Sequence, residues 1–121
     1  MGPAPSGSKI RAGASAKLPA AVGGYSKQPA SGPATIYENS NGDQVGVSFL
    51  SGSTYKTIVT ALKQRKTAAG TGTCGTTDDP DNPTCYLDAA DGVLNVSGGD
   101  AKTFPTIVAF ANQLTAALGT T

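Results

Sequence analysis

Few residues in this chain have the chemistry for a site: Cys74 and Cys85, an acidic run at 78–82, a basic group within 56–66, and two tyrosines in matching contexts, Tyr37 and Tyr86. Ten residues separate the two cysteines. That is not the C-x-x-C spacing of redox pairs, and no neighbouring Lys, Arg or His lowers a thiol pKa. On adjoining strands the two would lie within reach of each other. A structural disulfide is therefore expected, contributing about 2–3 kcal/mol by closing a short loop. It implies an oxidising compartment.

Asp78, Asp79 and Asp81, with Pro80 and Asn82 between and after them, offer several oxygens in a tight loop. Calcium takes six to eight such ligands, but the EF-hand spacing is missing. Asp and Asn are also what a polar turn needs. A turn is expected, with calcium on Asp78, Asp79 and Asp81 as the alternative; no cofactor is implied. Histidine is absent and Glu38 is the only glutamate, so no nucleophile–base or paired-carboxylate site can be assembled, and an enzyme is not expected. Lys56, Lys63, Arg65 and Lys66 read as the solvated side of a helix. A net charge of +1 gives no reason to expect nucleic acid as a partner. Asn95-Val96-Ser97 fits the glycosylation sequon.

These residues sit in a chain of 121 residues with 14% charged side chains, enough for one domain with an ordinary core. No apolar stretch is long enough for a transmembrane helix. Residues 1–17 are rich in Gly, Ala, Ser and Pro, and are expected to form a flexible linker or expression scar before a single domain at 18–121.

An offset of 49 aligns the chain with itself. Thr54-Tyr55-Lys56-Thr57-Ile58-Val59 matches Thr103-Phe104-Pro105-Thr106-Ile107-Val108, and Thr35, Tyr37, Val47 and Ser48 match Thr84, Tyr86, Val96 and Ser97. This predicts an internal duplication, about 22–70 and 71–119. In the first unit, 34–39 and 44–50 form a hairpin around Asn41-Gly42, with 24–28 as a further strand before it in the βββα form. Tyr55, Ile58, Val59 and Leu62 then come at helical spacing, in a helix that ends at Gly70. In the second unit, 72–77, 84–88 and 93–97 are strands. Phe104, Ile107, Val108, Ala111, Leu114 and Leu118 form the helical stripe, with Pro105 in the first turn.

The predicted fold is α+β: two tandem βββα (or ββα) repeats forming one antiparallel sheet, with both helices packed on one face. Alternation would then put Val45, Val47, Phe49, Ile36 and Cys85 under the helices. It would turn Tyr37, Tyr86, Thr35, Thr84, Ser48 and Ser97 outward as a recognition face. In general style, a Gly/Ala/Ser stalk before a small disulfide-bearing α+β domain, the chain resembles small exported bacterial lipoproteins. No motif carries that likeness and no residue role derives from it.

The expected function is a non-enzymatic extracytoplasmic binding module, secreted or surface-anchored. Its partner would be another protein or an envelope component, met by the outer sheet face or an edge strand, and a homodimer is allowed. The alternatives are a carrier of a small apolar ligand between helices and sheet, and an inhibitor of a secreted hydrolase acting through the 75–84 loop.

Overall fold

Val45, Val47 and Phe49 alternate with Gly46 and Ser48, so a strand here must put its branched and aromatic side chains on one face. In the computed structural model, which describes residues 2–29, 32 and 34–121, Gln44–Leu50 is strand β4 of one eight-stranded antiparallel sheet. The other strands are β1 (Ala21–Val22), β2 (Tyr25–Lys27), β3 (Thr35–Glu38), β5 (Gln64–Ala69), β6 (Gly72–Thr76), β7 (Thr84–Ala89) and β8 (Gly92–Ser97). They lie in the order β1-β2-β3-β4-β8-β7-β6-β5. One meander of four strands thus meets a second along the β4–β8 seam. After the first meander comes α1 (Tyr55–Ile58), prolonged by a 3-10 turn at Val59–Ala61; after the second comes α2 (Phe104–Leu118).

Helix α2 begins where Asp100 accepts the backbone N–H of Lys102 and Pro105 occupies the first turn. It ends at Gly119, whose φ of 85° suits a residue without Cβ. Its apolar stripe buries Phe104, Ile107, Phe110, Ala111 and Leu114 against Tyr37, Val45, Val47, Leu87, Leu94 and Val96. Each large side chain so buried contributes about 1.5–3 kcal/mol. Tyr25 of β2 meets Phe110 edge-on at 5.8 Å, and a Cβ on Gly70, in the β5–β6 turn, would strike Thr115 and Ala111. Hairpins from both ends of the sheet reach the same helix, so the sheet curls around it.

The two helices do not share a face. Cys74 pairs with Cys85 beneath α2, so the adjacent residue, Thr73, points the other way with its partner Tyr86. The Tyr55 hydroxyl lies 2.8 Å from the Thr73 hydroxyl, which sets Tyr55 of α1 on the face opposite α2.

The first helix is also shorter than its pattern predicts. Beyond Leu62 the stripe would fall on Arg65 and Lys66, which cannot bury, so helical packing has nothing to continue with. Residues 64–69 instead turn back through Gly70, at φ 54°, and pair with β6. A bulge lies between Gln64 and Thr67, where Arg65 has a φ of 57°.

The segment expected as a linker at 1–17 is, over its described residues, not apart from the domain. Met1 lies outside the described residues, but Ile10 is completely buried and Ala14 nearly so. The Ile10 N–H donates to the Asp88 carbonyl and its own carbonyl accepts from the Ala90 N–H. One isolated isoleucine carries no periodicity, so only the receiving site identifies it as a core residue.

The gapless 49-residue match is not preserved in the strand register. It would pair Thr84 with Val96 and Tyr86 with Leu94, as Thr35 pairs with Val47 and Tyr37 with Val45. The observed partners of Val96 and Leu94 are Cys85 and Leu87. The β3–β4 loop spans 39–43, whereas β7 and β8 are joined by Ala90 and Asp91 alone. The different loops slip the register by one residue, which turns β3 over relative to β7.

Candidate functional site

That slip divides the six residues expected on the outer face. Tyr37 is completely buried against Phe110, with ring centroids 5.2 Å apart, and its hydroxyl donates to the Pro19 carbonyl at 2.6 Å. Burial pushes its phenol above the ordinary range. Thr35, opposite Val47, lies on the same α2 side. Tyr37 and Thr35 therefore leave the candidate site, and Ile36, expected under the helices, takes the outer side in their place. Cys85 is buried as expected.

The remaining four residues, Tyr86, Thr84, Ser48 and Ser97, do share the face opposite α2. Register places them in two rows across the β4–β8 seam. The first runs Ile36, Gly46, Ser97, Thr84; the second runs Ser48, Asn95, Tyr86, Thr73. All eight are partly exposed. Asn95 locks the rows together: its amide nitrogen donates to the Thr84 hydroxyl at 2.5 Å and to the Cys85 carbonyl at 3.1 Å. The Thr84 hydroxyl in turn donates to the Val96 carbonyl at 3.2 Å. With both amide hydrogens held, the Asn95 nitrogen of the sequon is committed to the fold.

Asn95 was legible as a sequon but not as part of this face. Pleat parity across β8 would have found it, through Ser97 two residues on. Thr73 and Ile36 required the register.

Both rows are free of charge. Carboxylates stand in the flanking rows: Glu38 opposite Gln44 on one side, and Asp88 after Leu50 and Val93 on the other. Beside the latter opens a surface cleft of about 450 Å³, lined by Lys9, Tyr55, Lys56, Asp88 and Asp91 among others, with both signs of charge. The face thus presents hydroxyls, one amide and one phenol ring. These groups hydrogen-bond and stack with an uncharged partner without desolvating an ion. No family model, no curated protein and no solved structure matches the chain. The site must be judged on its own geometry.

Cys74 and Cys85 form the expected disulfide, directly across β6 and β7, with Cα atoms 3.9 Å apart. Both are completely buried under α2. The acidic loop beyond them is built as a turn. Asp79 accepts from the Asp81 N–H at 3.0 Å and also from the Asn82 side chain, so its oxygens serve the loop itself. Asp78, Asp79 and Asp81 are exposed, and among the described residues no group of three carboxylate or thiol side chains is arranged to hold a metal.

Proposed function

We propose that this protein is a non-enzymatic binding module of an exported or surface-anchored protein, recognising an uncharged polar partner through the sheet face centred on Tyr86. The observation that carries this reading is the charge-free row Ser48, Asn95, Tyr86, Thr73, left partly exposed on the side away from α2. Tyrosine among small hydroxyl residues supplies contact area at low entropy cost, as in adaptable recognition surfaces. The Cys74–Cys85 disulfide is compatible with an extracytoplasmic location, and no helix among the described residues is long and apolar enough to cross a membrane.

A further point favours this over the carrier reading. The layer where an apolar ligand would sit holds Tyr37, Leu87, Leu94, Ile107, Phe110 and Leu114, all essentially without exposure. Displacing such close-packed side chains would cost several kcal/mol.

The test is capture of the partner from an envelope extract of the host. Tyr86→Ala should abolish capture and leave the circular dichroism spectrum unchanged. If Tyr86→Ala captures normally while replacement of the 78–82 loop abolishes capture, the protein acts through that loop as an inhibitor would, and the face reading is wrong.

A further inference from the structure

The two edges of the sheet are built differently. Strand β1 is a two-residue edge, Ala21–Val22, which offers a neighbour almost nothing to pair with. Strand β5 is a six-residue edge, and Gln64, Arg65, Lys66, Thr67 and Ala68 are all exposed. It pairs with β6 on one side and has no strand on the other among the described residues; only at its far end does the chain's own N-terminal segment come near, where the Ala4 N–H donates to the Gly70 carbonyl. After the bulge, the register is regular from Thr67 opposite Cys74 to Ala69 opposite Gly72. A free edge of this kind presents unpaired N–H and C=O groups to an incoming strand. Thr67 and Ala68 are small, so little side chain stands in the way.

Charge decides what can use this edge. Lys63, just before the strand, and Arg65 and Lys66 in its first half are exposed. The Arg65 guanidinium is spread over the Phe104 ring, 4.1 Å from its centroid, and so is fixed beside the edge. A second copy pairing β5 against β5 would bring these cations together, and like charges across strands are unfavourable. An incoming strand with acidic side chains meets them favourably. The exposed Asp78, Asp79 and Asp81 lie past Thr76, the partner of Gln64, and so stand at the Lys63 end. They turn the acidic residues of such a strand toward Lys66 rather than toward that loop.

We propose that β5 is a docking edge for an extended acidic segment of another protein, which joins the sheet beside Lys66–Thr67–Ala68 as a further strand. This surface adjoins the Tyr86 face at Thr73, the partner of Ala68, but does not depend on it.

The test titrates the intact, disulfide-bonded chain, isotope-labelled for NMR, with a synthetic peptide of about ten residues alternating valine and glutamate, long enough to span an edge strand. The expected result is saturable shifts and slowed hydrogen exchange confined to the β5 amides, with affinity falling as salt rises. Lys63→Glu with Lys66→Glu, both at exposed positions, should weaken binding about tenfold and transfer preference to a valine–lysine peptide. Arg65 is left unchanged because it packs on α2.

The proposal is overturned if the peptide does not bind, if it binds equally after the charge reversal, or if its shifts map to the Tyr86 face. It is equally overturned if the chain alone forms a dimer protected along β5, since the occupant would then be a second copy. Tyr86→Ala should leave peptide binding unchanged, which keeps failure of this edge distinct from failure of the face.

Discussion

After β4 and again after β8, the chain meets the same motif: threonine, an aromatic residue, any residue, then Thr-Ile-Val. After β8 it makes a helix of 15 residues that buries Phe104, Ile107, Phe110, Ala111 and Leu114. After β4 it makes one turn of four residues in which nothing is fully buried. The difference lies on the C-terminal side of the motif. Downstream of Val108 come Phe110, Ala111, Leu114 and Leu118 on one side, with alanines elsewhere, so propensity and packing agree. Downstream of Val59 the side that should be buried carries Arg65 and Lys66. Helices this short depend on tertiary burial, and here it runs out after Leu62. The residues released from α1 become the β5 edge.

The largest test of this contrast is truncation on each side of the sheet. Phe110→Ala removes the ring on which Tyr25 and Tyr37 both pack, and should cost about 3–5 kcal/mol in urea denaturation. Ile58→Ala, in half-buried α1, should cost only about 1 kcal/mol, in the ordinary range for such substitutions. Equal losses would mean that α1 carries as much of the core as α2.

The disulfide should matter less than Phe110 and more than any one hydrogen bond. Cys74→Ala with Cys85→Ala should lower stability by about 2–4 kcal/mol, measured by the same denaturation. Because both cysteines are completely buried, a reductant should act on the native protein only as fast as it opens. Rapid reduction under native conditions would show that the α2 side opens locally.

The smallest expected effects separate the two tyrosines. Tyr37→Phe removes the bond to the Pro19 carbonyl and should cost about 1 kcal/mol. Tyr86→Phe should stay within about 0.5 kcal/mol, since its hydroxyl bonds no other group among the described residues. Tyr37 also gives the folded state a pH dependence. Burial raises the folded pKa of Tyr37 above the ordinary value of 10.0, so the protonated phenol is favoured in the folded state. Its contribution is fully present below pH 10 and is lost as pH rises through the folded value. Denaturation midpoints should therefore fall above pH 10 in the native sequence and fall less in Tyr37→Phe. An unchanged slope would mean that Tyr37 is reachable by water.

Much of the framework was legible residue by residue. Alternation in 44–50, the Asn41-Gly42 turn signal, and the helical stripe from Phe104 to Leu118 pointed to an antiparallel α+β fold with its cysteines on neighbouring strands. About half of the candidate site was legible too: Tyr86, Thr84, Ser48 and Ser97 belong together. Tyr37 and Thr35 were misplaced because an identity between two segments does not carry the register with it. The five residues of the 39–43 loop and the two between β7 and β8 decide that separately.

What the amino-acid sequence determined by itself is local: which segments alternate, where glycine must supply a positive φ, which stripe can make a long helix, and which residue types are absent. Those properties depend on a residue and its near neighbours. What only the tertiary structure decided is relational: which face Tyr37 takes, which side α1 crosses, that Ile10 has a buried seat beside Asp88 and Ala90, and that Lys63, Arg65 and Lys66 line an edge instead of a helix. Each turns on burial against partners far away in the chain, and a one-residue change in pairing is enough to reverse it.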